Sequence, residues 1–221
     1  MNRYVLNVMI LLVAGLMLSG CFALQEAEEA SGDAQAEAVD AGGDATVFVI
    51  DAEQSEARFL IDEVLRGDDV TVVGVTNNLA GEMAINLSNP SSATIGEINI
   101  NARDIETDNN FRNNAIQNRI LETDSYEFVT FTTTSIAGLP ENAAVGNSYD
   151  VTITGDLAIT DVTLEKSFDA TINVISETEI SGLASTVFPY ADFELEIPFS
   201  QAVDSVEDDV RLELEFVATM Q

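Results

Sequence analysis

Beyond residue 45 the chain alternates apolar and polar side chains with a period of two, and that regularity restricts it to sheet. Ala57, Phe59 and Ile61 alternate with Glu56, Arg58 and Asp62. Phe168, Ala170, Ile172 and Val174 alternate with Asp169, Thr171 and Asn173. Near the end, Val210, Leu212, Leu214 and Phe216 alternate with Arg211, Glu213 and Glu215. Successive side chains of an extended strand leave on opposite faces, so each run has one dry face and one wet face. The same signal predicts strands over 70–75, 79–87, 94–102, 127–134, 151–159 and 193–199. Turn-forming residues separate them at Arg66-Gly67-Asp68-Asp69, Asn89-Pro90-Ser91-Ser92, Gly138-Leu139-Pro140 and Gly146-Asn147.

One segment leaves this period. Between Asp108 and Leu121, Phe111, Ala115, Ile116, Ile120 and Leu121 recur at helical spacing, which predicts a short helix with Asp108 as N-cap. Eight or more antiparallel strands plus one helical excursion fit a closed barrel or a two-sheet sandwich. A membrane-spanning barrel would turn its apolar face outward to lipid. Strand faces carrying Arg211, Glu213 and Glu215 belong in water, so the dry face is the interior.

The first 44 residues have another character. Arg3 precedes an apolar run from Val5 to Leu18 that is short for a membrane span, and Leu18-Ser19-Gly20-Cys21 ends it. This is the pattern of a lipoprotein signal peptide (1–20), whose removal leaves Cys21 acylated and the protein extracytoplasmic, anchored to a membrane it does not cross. Residues 21–44 then hold Glu26, Glu28, Glu29, Asp33, Glu37, Asp40 and Asp44 without a basic residue, which predicts a flexible, self-repelling tether. The barrel domain is expected over 45–221.

Charge and composition exclude much. With 8 basic and 39 acidic residues the net charge is −31, which argues against nucleic-acid partners. Adaptation to salt and an ordinary solvated surface are both open as its origin. The chain has no histidine and one cysteine, so Ser-His-Asp, Cys-His and disulfide chemistry are ruled out. Adjacent acids (Asp68-Asp69, Asp208-Asp209) are ordinary in so acidic a chain, and residues 204–209 lack the spacing and glycine of a calcium loop. We expect a solvated turn there, no catalytic or metal-ligating residues, and no enzyme.

Several short elements, in order along the domain, resemble the YceI-like family. They are Val49-Ile50-Asp51 with Ala57-Arg58-Phe59; Val73-Gly74 and Leu79-Ala80-Gly81-Glu82; Asn89-Pro90; and Ile105-Glu106-Thr107-Asp108 with Phe111-Arg112. Tyr126-Glu127-Phe128-Val129-Thr130-Phe131, Thr154-Gly155-Asp156-Leu157-Ala158-Ile159 and Ala191-Asp192-Phe193 complete the likeness. The resemblance implies an all-β, eight-stranded or slightly larger lipocalin-like barrel with one short helical segment, and a polyisoprenoid-binding role outside the cytoplasm.

Two functions follow as expectations. In the first, the barrel encloses a long apolar chain, such as a polyprenyl lipid or quinone tail, held by burial rather than hydrogen bonds. Its lumen is expected to be lined by Phe59, Ile61, Phe111, Phe128, Phe168, Ile172, Phe193, Leu214 and Phe216, with no ionisable group on the inward face. In the second, those residues fill a solid core and the domain is a structural or interaction module of the envelope. Oligomeric state is open, a homodimer included.

Overall fold

The computed structural model describes residues 32–221. The expected signal peptide over 1–20 and Cys21 lie outside the described residues. Among the described residues the fold has twelve strand segments and one α-helix, with short 3₁₀ and π turns between them: β1 (Thr46–Ile50), β2 (Glu56–Leu65), β3 (Asp68–Thr76), β4 (Leu79–Ala80), β5 (Glu82–Ile85), β6 (Thr94–Ile95), β7 (Ile98–Asn101), α1 (Asn110–Ala115), β8 (Phe128–Ala137), β9 (Ser148–Ile159), β10 (Val162–Ser176), β11 (Glu179–Pro189) and β12 (Val203–Met220). No helix among the described residues is long and apolar enough to cross a membrane.

All pairings are antiparallel, and the order of neighbours is β4-β7-β8-β9-β10-β11-β12-β1-β5-β6, with β2 on β12 and β3 on β2. Continuous stretches of chain merge these segments. β12 pairs with β2 through its first part and with β1 through its last, so β1 and β2 form one run broken by a short 3₁₀ turn. β3, β4 and β5 form the next; β5 pairs with β1 and β6, and β4 pairs with β7. With β6–β7 as a third and β8, β9, β10, β11 and β12 singly, the antiparallel sheet curls round on itself. This is the barrel class expected. Curling places the period-two apolar faces on the inside, where three clusters form around Phe48 and Phe216, around Leu157 and Phe188, and around Val151 and Ala184.

The registers sort the connections between two ends. The turn at Arg66-Gly67, the turn at Thr160-Asp161, the excursion over 102–127 and the connection over 190–202 close one end. The connections over 86–93, 138–147 and 177–178 close the other.

Several local expectations are corrected. Residues 193–199 are not a strand: Tyr190–Phe193 is a 3₁₀ turn, Glu194 is left-handed at φ 56°, and the chain runs irregularly through Pro198, which has no amide for a ladder. Residues 204–209 are not a solvated turn but part of β12, bulged between Val206 and Val210. Asp204 accepts a hydrogen bond there from the Gly67 amide at 2.8 Å. The helix is capped by Asn109, whose Oδ1 accepts from the amides of Phe111 and Arg112, while Asp108 pairs with the Arg112 guanidinium. A π-helical turn over Ile116–Ile120 follows α1 directly.

Residues 32–44, expected to belong to a flexible tether, are described, and the first of them are held to the barrel. From Gly32 onward the chain lies along the barrel wall because side chains satisfy its peptide groups. Asn78 accepts from the Ala34 amide (2.7 Å) and donates to the Gly32 carbonyl (3.0 Å). Asn101, fully buried, donates to the same carbonyl at 2.6 Å, Asn99 donates to the Gln35 carbonyl, and Glu82 accepts from the Val39 amide. These contacts supply the order that composition alone does not.

Candidate functional site

The apolar clusters do not meet at the centre. They surround a cavity of about 350 Å³. Its wall includes Ile61 of β2, Val72 of β3, Val129 of β8, Ile153 of β9, Ile172 of β10 and Leu214 of β12. The lining reaches both ends of the barrel, to Leu139 and Ala143 on one side and to Ile116, Leu121, Leu195 and Ile197 on the other. The shape is therefore a lengthwise tunnel.

The cavity persists because some rings lie flat against glycine. Phe59 faces Gly74 across β2 and β3, and a Cβ built on Gly74 would stand 2.1 Å from the ring. Phe216 faces Gly182 across β12 and β11, where the corresponding approach is 2.7 Å. A side chain at either glycine would push its ring toward the lumen. Phe131 and Phe168 stack edge to face at 5.0 Å on the opposite wall.

Of the residues expected to line the lumen, Phe59, Ile61, Phe168, Ile172, Leu214 and Phe216 stand on the cavity wall. Three do not. Phe128 has the wrong parity: Val129 and Phe131 carry the inward face of β8, and a shift of one residue reverses the side a strand residue occupies. Phe193 is fully buried behind the wall, its ring 5.0 Å from Phe188. Phe111 is a correction of larger kind, since it is 91% exposed. Ile116 is the buried residue of this helical stretch. At about 100° per residue, Phe111 lies roughly 140° round from Ile116 and so points to water.

The expectation of an inward face without charge is also corrected. Glu63 continues the parity of Ala57, Phe59 and Ile61, lines the cavity, and is 8% exposed. Its Oε1 accepts from Arg112 Nη2 at 2.8 Å, a bond that ties α1 to β2. Lys166 likewise shares the inward parity of Phe168. Its ammonium sits 4.6 Å from the Phe188 ring centroid and bonds Asp192 at 2.7 Å. Both pairs stand toward the α1 end. The paired partners keep charge from facing the tunnel uncompensated, which a low-dielectric wall requires. Extending the alternation from Ile61 by two residues reaches Glu63; its partner across 49 residues has no signal in the sequence.

A second charged knot is built from residues of the opposite parity on β2 and β12, of which Arg58 and Glu213 also border the cavity. Arg58 donates to Glu213 at 2.6 Å and to Glu56 at 3.0 Å, and the bond to Glu213 raises the guanidinium above its already high ordinary pKa. Among the described residues no group of three or more His, Cys, Asp or Glu is placed to hold a metal ion.

Comparison with known proteins bears on this site. A family model described as "YceI-like domain" matches residues 48–218. No curated protein matches the chain. Among solved structures, a polyisoprenoid binding domain from Saccharophagus degradans, implicated in plant cell wall breakdown, is similar with a TM-score of 0.61. The two share 17% identity, over 80% of this chain and 99% of that one. BcnA from Burkholderia cenocepacia gives a TM-score of 0.61 at 17% identity, over 77% of this chain and 99% of that one. The YceI protein of Campylobacter jejuni gives 0.53 at 19%, over 65% and 81%. At these identities the likeness concerns the fold.

Proposed function

Since this chain belongs to the YceI-like family, we propose that it is an extracytoplasmic lipoprotein that carries or stores one long apolar chain, of isoprenoid type, inside its barrel. The observation that carries this reading is the tunnel, whose wall is largely apolar along the barrel, with its charged members paired. About 350 Å³ falls in the range of small-molecule sites, roughly 300–1,000 Å³. Each methylene transferred from water contributes about 0.8 kcal/mol, so a long prenyl chain is held by burial alone. The inward charges are already paired within the protein, which favours a neutral ligand or a neutral tail. A solved domain of the same fold is described as polyisoprenoid-binding, in keeping with that ligand class. The reading is of a binding protein rather than an enzyme.

In the same reading, acylated Cys21 keeps the barrel at the membrane where such ligands dissolve. Mass spectrometry of the purified protein, with and without organic extraction, tests the ligand. Polyprenyl or quinone lipid in the extract is expected from the native chain and depleted in A184F, which places a ring on the cavity wall. Extracts without lipid, from protein that also takes up no prenyl quinone, would leave the barrel as a filled structural module.

A further inference from the structure

Ten of the chain's phenylalanines fall among the described residues, and the only two that stand out in solvent are Phe111, 91% exposed, and Phe199, 90% exposed. They lie far apart in sequence, yet the registers bring both to the same end of the barrel, one on the 102–127 excursion and one on the 190–202 connection. Each stands on a segment that also lines the tunnel. Arg112 and Ile116 on the helical segment of Phe111, and Ile197 two residues before Phe199, line the cavity. Two exposed aromatic rings gathered at one end of an apolar tunnel are a surface feature of the kind that marks a lipid or partner contact, which single scattered apolar residues are not.

From this we infer that Phe111 and Phe199 dock the α1 end of the barrel onto a lipid bilayer, so that the tunnel opens toward the acyl region. The inference rests on the carrier reading above and adds its orientation. The occupant is argued from the upstream chain. Gly32 is held at Asn101 and Glu127, the residues that flank the excursion carrying Phe111. Cys21 precedes Gly32 by eleven residues, a reach of at most about 36–40 Å at full extension. An acyl anchor at Cys21, as the carrier reading has it, would keep this end of the barrel within that distance of the bilayer. Exposed acids beside both rings, Asp108, Glu194 and Glu196, disfavour an anionic surface, so the fitting partner is a zwitterionic bilayer.

The chain contains no tryptophan, so single substitutions give single emitters. F111W, F199W and V145W are prepared in the full acylated chain and mixed with phosphatidylcholine vesicles whose acyl chains are brominated. Val145 is 51% exposed at the opposite end of the barrel and serves as reference. Emission from F111W and F199W is expected to be quenched several-fold more than that from V145W. Equal quenching at all three sites, stronger quenching of V145W, or none at any site would overturn the docking. Prenyl quinone uptake from detergent, measured on the same proteins, reads the ligand separately. Uptake without quenching refutes the docking alone, whereas quenching without uptake refutes the carrier reading and leaves the docking standing.

Discussion

Glu63 is the one ionisable side chain that is buried among the described residues, and it stands on the cavity wall. Its side chain is 7% exposed and that of Arg112 19%, so removing one leaves the other charge in a poorly solvated wall. The remaining partner of Arg112, Asp108, is 83% exposed and screened by water. We predict that E63A lowers stability by about 3 kcal/mol, read as a fall in the urea midpoint at unchanged slope, and that E63Q, which keeps an acceptor in place, loses less than half of that. Gly74 sets the position of a wall ring rather than a charge. In G74A the atoms nearest the new Cβ are those of the Phe59 ring, a side chain that can turn into the tunnel, rather than backbone. The expected result is a small stability loss, about 1 kcal/mol, beside a ~tenfold weaker retention of prenyl quinone. A melting curve and a binding isotherm on the same protein check both halves.

At the level of elements, two pieces stand outside the ladder. The excursion over 102–127 is braced by its own side chains: Gln117 donates to the Arg103 carbonyl and Arg103 donates to the Thr123 carbonyl. The segment over 32–40 depends instead on the barrel, chiefly on Asn78. N78A removes the acceptor of the Ala34 amide and one donor to the Gly32 carbonyl, while leaving every ladder bond intact. We predict that this segment loses its protection from hydrogen exchange in N78A while β8–β11 keep theirs. Unchanged protection at Ala34 would show that Asn99, Asn101 and Glu82 suffice. Composition made this stretch read as a free tether, because its order comes from partners 43 to 95 residues away.

For the whole molecule, a hollow barrel gains stability when the tunnel is occupied, since a ligand that binds only the folded state shifts unfolding by mass action. Protein stripped of lipid is expected to melt lower than protein as purified and to recover when prenyl quinone is restored. The recovery is about 2.7 kcal/mol at a free ligand concentration one hundred times Kd. Scanning calorimetry on the two preparations measures it. A stripped protein that melts no lower would mean that the tunnel contributes nothing when filled. The phenylalanine pair at the α1 end belongs to this scale as well, because neither ring has a role until both ends of the tunnel are known.

The period-two pattern was enough to determine that the chain is sheet, which faces of β2, β10 and β12 are dry, and where most turns fall. Parity is a local property: one residue alternates with the next whatever the rest of the chain does. It also placed Phe59, Phe168 and Phe216 on the inward side. It did not show that Phe128 was one residue out of phase, that Phe111 turned to water at the start of a helix, or that Glu63 found Arg112. Whether the inward rings fill the barrel or line a tunnel is decided by the radius at which the sheet curls and by which ring meets a glycine across the ladder. Those depend on pairings between residues far apart in the chain, which only the folded structure brings together.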